Sequence, residues 1–297
     1  MGCQPSTDSG AKKPKKQPHL LQEIKDHKSG INCMVLSDDG SMLVTGVRRQ
    51  DGPHVEYSLR PHGMFGGARR TRRSFMDYLS KEDNIIRSKY DHLCGYITCC
   101  AVHEQCVITG SSDSSIRKWF IATAECQAIY VGHSSRISRL LCVGQLIFST
   151  SSDHTIRAWL FDLREISDDQ GEACIKVFQG HSKGTYPLLH VPMDENAGLD
   201  LGAGVLVSGS ADCTARSWSV DSGLCLKVIL QVDISKTIFR GHTAPLNCLA
   251  YDDQKQTLYT AGGDGLIKSW NLMSGEALKV LRGHEGPVFC ILVSKLG

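Results

Sequence analysis

Along most of the chain, apolar positions come in short runs broken by clusters of Gly, Asp, Ser or Asn. Residues 242–281 show the pattern plainly. Apolar stretches at 246–251 and 258–260 flank the polar DDQKQ, and alternating segments follow at 266–270 and 277–281. Runs this short, with turn residues between them, predict four strands per unit. The unit recurs. Asp264 stands six residues before Trp270, and the same offset joins Asp113 to Trp119, Asp153 to Trp159 and Asp212 to Trp218, which accounts for all four tryptophans. His92, His133, His181 and His242 precede these pairs at intervals of 41, 48 and 61 residues, with a further 42 to His284. A period of about forty residues built of four short strands predicts repeated blades of antiparallel sheet.

The recurring polar residues have a physical reason to be together. Thr109, Ser149, Ser208 and Thr260 each stand four residues before the Asp of their unit. An Asp in a tight turn can accept from turn amides and from the His ring. The His can reach the hydroxyl, and the hydroxyl can take the indole N–H of the Trp. A buried tryptophan needs a partner for its one donor, and this chain of bonds supplies it.

These residues resemble the structural tetrad of the WD40 repeat family, over residues 20–46 and 84–297. The resemblance implies an all-β WD40 β-propeller, which closes when its last blade borrows an outer strand from the N-terminus. Here that ring is expected to be incomplete, with four full blades, one damaged and one begun. Residues 20–25 read as an outer strand, and 31–36 and 42–45 as two strands of the first blade. Four residues after Thr45 the expected Asp is Arg49, and no Trp follows. Residues 47–80 read as a basic insert outside any repeat, either disordered or not native coding sequence, with 55–59 as a poor third strand and 84–88 as a fourth. Polar insertions are expected at 164–172, 194–204 and around 231–236. A sixth blade begins at His284 with one strand over 288–293. The expectation is an open arc or a strained small ring, from a truncated product.

Composition narrows the chemistry. A net charge of +2 on 297 residues gives no general affinity for nucleic acid. No apolar run approaches membrane-spanning length and there is no signal-peptide core, so a soluble chain in the cytoplasm is expected. The thirteen cysteines show no CxxC spacing. Cys33, Cys248 and Cys290 recur on first strands and Cys126 and Cys225 on fourth strands, as small buried hydrophobes in a reducing compartment. No P-loop, dinucleotide fingerprint or zinc motif is present, so no cofactor and no metal is expected.

The N-terminal tail, residues 1–19, carries the sharpest functional signal. Met1-Gly2-Cys3-Gln4-Pro5-Ser6 matches the myristoylation pattern at Gly2, with Cys3 placed for a second acylation. Lys12, Lys13, Lys15 and Lys16 follow. One myristoyl chain binds a membrane with an association constant on the order of 10⁴ M⁻¹. Each lysine near an anionic leaflet adds about 1 kcal/mol. The expected location is therefore peripheral, on the inner face of a membrane.

His, Ser or Thr and Asp are hydrolase residues by type, but here they recur in every unit and bonding to Trp accounts for them, so no catalytic residue is expected. The resemblance implies an interaction scaffold that docks other proteins on its faces. The alternatives are a substrate-recognition adaptor of a ubiquitin ligase, for which no F-box-like segment precedes residue 20, and a nuclear, nucleic-acid-associated factor using Arg69, Arg70, Arg72 and Arg73.

Overall fold

A computed structural model describes residues 31–36, 42–47, 57–61, 95–123, 125–163, 173–192, 204–229 and 241–293. Within them the chain forms five antiparallel sheets, each a meander in chain order. The first sheet is β1 (Ile31–Leu36), β2 (Met42–Val47) and β3 (Tyr57–Pro61). The second is β4 (Ile97–His103), β5 (Cys106–Ser111), β6 (Ile116–Phe120) and β7 (Cys126–Tyr130). The third is β8 (Ile137–Val143), β9 (Leu146–Ser151), β10 (Ile156–Leu160) and β11 (Cys174–Phe178). The fourth is β12 (Thr185–Val191), β13 (Val205–Ser210), β14 (Ala215–Ser219) and β15 (Cys225–Ile229). The fifth is β16 (Leu246–Asp252), β17 (Thr257–Gly262), β18 (Ile267–Asn271) and β19 (Ala277–Leu281).

First strands face one another. β1 packs on β4, β4 on β8, β8 on β12 and β12 on β16. The sheets thus fan out from a common inner edge, the arrangement of a propeller. Each first strand carries a register shift near its start. Each third strand that holds a Trp carries another at that residue, where Trp119 pairs with Cys126, Trp159 with Cys174, Trp218 with Cys225 and Trp270 with Ala277. Pro187 lies inside the shift between Thr185 and Leu188, where a missing N–H costs no ladder bond.

Three sequence readings need correction. The third strand of the first blade lies at Tyr57–Pro61, two residues beyond 55–59, and pairs with β2 from Met42 opposite Pro61 to Gly46 opposite Tyr57. Part of the supposed non-repeat insert is therefore built into a blade. Residues 288–293 do not form a strand; no neighbouring strand is present to complete a ladder with them among the described residues. They hang instead on the fifth sheet, where the Val288 amide donates to the Gly262 carbonyl at 3.0 Å and Asn247 Nδ2 donates to the Val288 carbonyl at 3.1 Å. Finally, Cys225 and Cys290 are exposed, not buried. Cys225 points outward from a fourth strand, and Cys290 lies on the unpaired segment 288–293. The strands expected over 20–25 and 84–88, and the insertions, lie outside the described residues.

Junctions between blades are apolar, and the tryptophans sit in them. Trp218 packs in one cluster with Ile156 and Phe178 of the preceding blade and Phe148, Leu206 and Val220. Trp270 is packed likewise with Ala215 and Ile229. A second device joins the same blades. Lys176 Nζ, on β11, donates to the carbonyls of Val220 (3.0 Å) and Asp221 in the turn after β14. Lys227 Nζ, at the matching position of β15, donates to the carbonyls of Met273 and Ser274 at 2.7 Å each.

The turn between second and third strands holds one residue in the left-handed region: Ser114 (φ 73°), His154 (φ 74°), Cys213 (φ 69°) and, in the fifth blade, Gly265 (φ 70°). That conformation costs a residue with a Cβ about 1–2 kcal/mol. Glycine avoids it, at an unfolded-state entropy cost of about 0.5–1 kcal/mol. Exposed His154→Gly is thus expected to stabilise by about 0.5 kcal/mol, read as a higher denaturant midpoint; a lowered midpoint would count against the strain argument.

Candidate functional site

The four-residue constellation predicted for each blade is laid out most fully in the third and fourth. In the fourth, Trp218 Nε1 donates to Ser208 Oγ at 2.8 Å, Ser208 Oγ and His181 Nε2 are 2.9 Å apart, and His181 Nδ1 lies 2.8 Å from Asp212 Oδ2. The third repeats this with Trp159 to Ser149 at 2.8 Å, Ser149 to His133 Nε2 at 2.8 Å, and His133 Nδ1 to Asp153 Oδ2 at 2.7 Å. In the fifth, Trp270 donates to Thr260 Oγ1 at 2.8 Å, His242 Nε2 is 2.7 Å from that oxygen, and Nδ1 is 2.8 Å from Asp264 Oδ2. In the second, Trp119 Nε1 donates to Thr109 Oγ1 at 2.9 Å and Asp113 caps the turn through Ser115. His92 lies outside the described residues, as do Gly2, Cys3, Lys12, Lys13, Lys15, Lys16 and the arginines at 69–73.

Chemistry fixes the direction of the protons. An indole N–H can only donate and an ionised carboxylate can only accept, so the hydroxyl oxygen takes the indole N–H and, with a neutral ring, gives its own hydrogen to His Nε2. The ring proton must then sit on Nδ1, aimed at the carboxylate. Asp212 receives three more donors: the amides of Ser182 (3.0 Å) and Thr214 (2.9 Å) and the hydroxyl of Thr214 (2.7 Å). Asp153 is held in the same way by the Ser134 and Thr155 amides and the Thr155 hydroxyl.

Burial disfavours the charge on Asp153 and Asp212, but the bonds from His133 and Thr155, and from His181 and Thr214, outweigh it and hold both carboxyls well below the usual range. Asp264 is also lowered, against burial, by the Leu266 and Thr243 amides and by His242; Leu266 has no hydroxyl to add. Burial pushes His242 below its ordinary value despite Asp264 beside it.

The arrangement resembles a hydrolytic triad in residue types but not in access. Ser149 and Ser208 are wholly buried. Each hydroxyl has an indole on one side and an imidazole on the other, so neither faces a space where a substrate could stand. The glycines before His133 and His181 belong to the same packing. A Cβ at Gly132 would lie 3.2 Å from the Trp159 ring and 2.8 Å from an Arg157 nitrogen, and Gly180 meets Trp218 and Arg216 identically.

Two recurring roles escaped the sequence reading. A serine two residues before the Asp ties the turn to the segment leading into the first strand. Ser151 Oγ donates to the carbonyls of Ser135 and Arg136 and accepts the Asp153 amide, and Ser210 does the same for Lys183, Gly184 and Asp212. The hydroxyl two residues after the Asp, at Ser115, Thr155 and Thr214, is the other. Both were visible as S-x-D-x-[ST], in SSDSS, SSDHT and SADCT. Among the described residues no cluster of His, Cys, Asp or Glu is arranged to hold a metal ion, and the described cysteines are not joined in disulfides.

Known proteins agree with this geometry. The family model "WD domain, G-beta repeat" matches residues 18–52, 84–119, 124–159 and 234–271. It leaves out the fourth blade, where the tetrad is nonetheless complete. Similar proteins include the CCR4-associated factor 4 homolog of Candida glabrata, 28% identical over 65% of this chain and 34% of its own length. Mitochondrial division protein 1 of Aspergillus terreus is 24% identical over 62% of this chain and 32% of its own. Nuclear distribution protein nudF of Aspergillus niger is 26% identical over 65% and 40%. The chain thus spans about a third to two fifths of the length of these curated relatives. Among solved structures, the computationally designed Ika8 protein superposes with a TM-score of 0.60 at 19% identity, over 91% of this chain and 67% of that one. With its repeats matched in sequence and its blades built around the buried tetrads, the chain belongs to the WD40 repeat family.

Proposed function

We propose that this chain is a non-catalytic platform on which other proteins dock, held at a membrane by acylation of its N-terminus. One observation carries the first half. The groups that could do chemistry are spent inside the blades, with each Ser or Thr hydroxyl fixed between an indole and an imidazole and each carboxylate saturated by turn donors. The surfaces are what the repeats leave for function, and the CCR4-associated factor 4 homolog is itself named for an association with another factor.

The second half rests on Gly2, Cys3, Ser6 and the lysines at 12, 13, 15 and 16. A single acyl chain is reversible, so Cys3 acylation or the basic cluster supplies the second signal that stable anchoring requires. Cells fed alkynyl myristate should label the wild type and not Gly2→Ala. Membrane recovery should survive high salt in the wild type and be lost in that variant; absence of label, or recovery unchanged by Gly2→Ala, would remove the anchor. Proximity labelling from the intact chain should then collect proteins that depend on the blades.

A further inference from the structure

At the three internal junctions whose fourth strand is described, the last residue of that strand is covered by the blade that follows. Tyr130 and Phe178 are 1% exposed and Ile229 is 3%. Leu281, at the same position of β19, is 49% exposed. The lysine clasp is also incomplete there. Lys176 and Lys227 grip the next blade's turn, whereas Lys279, at the matching position, stands exposed with no such bond among the described residues. The segment 288–293 is not paired into a strand: Val288 is buried against the fifth sheet while Phe289 and Leu292 are 75% and 86% exposed.

The other end of the arc is uncovered in a matching way. Ile31 opens β1, and its counterparts Ile97, Ile137, Thr185 and Leu246 are all buried. Ile31 is 55% exposed and Met34, three residues on, 66%. Since Ile31 and Met34 are exposed in the same structure as Phe289 and Leu292, the two ends do not cover each other.

We infer that this chain associates head to tail with a second copy of itself, the β1 edge of one copy packing on the 288–293 segment of the other. The occupant follows from continuity with the four junctions already built. Every described inner strand but the last is followed by another, and 288–293 extends that series one step past β16. The described element that lacks a predecessor is β1. Ile31 and Met34 would meet Phe289 and Leu292 as β4 meets β1 within one copy. An end-to-end contact of this heterologous kind closes a ring of copies if the rotation allows and otherwise adds copies in a row. This goes beyond the platform reading and does not depend on acylation.

Sedimentation velocity of the full chain tests it, with Met34→Glu and Phe289→Glu as exposed substitutions whose unchanged circular dichroism confirms folding. The wild type should form dimers or larger species as concentration rises through the micromolar range. Each variant alone should associate at least tenfold more weakly. Mixed together they should give a heterodimer that grows no further, because one keeps a good tail and the other a good head. A wild type that stays monomeric overturns the inference. Association lost in Phe289→Glu but intact in Met34→Glu also overturns it, since that is tail-to-tail pairing; so does a mixture that stays monomeric.

Discussion

Trp218→Ala should cost the fold about 3–5 kcal/mol, the usual penalty for emptying a large buried aromatic site. Trp218 is 1% exposed and touches both sides of a junction, meeting the Phe178 ring edge-on at 6.1 Å and the His181 ring at 5.9 Å. The cavity would also strand Ser208, whose oxygen loses its indole donor. A domain has about 5–15 kcal/mol of stability in total, so this one change should leave the chain near its folding limit. Trp218→Phe keeps an aromatic ring in the site but removes the N–H and part of the indole's volume. It should cost about 1–3 kcal/mol, as an unsatisfied buried group does. Urea denaturation followed by circular dichroism reads both. A midpoint in Trp218→Ala close to that of the wild type would show that the fourth blade is not held as described.

The second large effect is acid destabilisation. Asp153 and Asp212 have folded pKa values below the ordinary 3.8. In that range the unfolded chain takes up protons that the folded chain refuses, so stability is full above the ordinary value and falls as pH drops through the folded one. His242 acts in the same direction from a higher starting point. Its folded pKa lies below 6.5, so the unfolded chain begins to gain protons first as pH falls through 6.5. Melting temperature should therefore decline in two stages on acidification, shallowly from about pH 6.5 and more steeply below about pH 4. Asp212→Ala should cost about 1–3 kcal/mol at neutral pH, because its donors lose their acceptor, and should flatten the second stage. A melting temperature that rises on acidification from pH 6.5 would contradict the whole picture.

The repeat was legible because it depends on a few residues whose chemistry admits little substitution. A buried indole needs an acceptor at a fixed place, so Trp, the hydroxyl residue, His and Asp recur at fixed offsets and mark the second to fifth blades. The first blade shows the limit of that logic. Without a Trp there is no indole to house, and Arg60 pairs opposite Leu43 on β2, as Trp119 does opposite Val107 on β5. With no tetrad residues to mark it, β3 could be found only by backbone pairing. Residues 288–293 fail for the opposite reason. Their apolar pattern is that of a first strand, but a strand is a relation between neighbours, and composition alone cannot supply the neighbour. Lys176 and Lys227 were unreadable as clasps because their partners are main-chain carbonyls some forty-five residues away, which leave no mark in side-chain identity.

Main-chain recognition of this kind governs how such a chain tolerates change. A lysine that grips carbonyl oxygens recognises the path of a turn and not the identity of its residues. Asp221 in one turn and Met273 and Ser274 in the next are chemically unlike, yet both turns are held by the same amine. The joint between neighbouring blades is thus a standard coupling, indifferent to the side chains on the part it couples. Substitutions in these turns can alter what the rim displays to the outside while the seating of one blade against the next is kept.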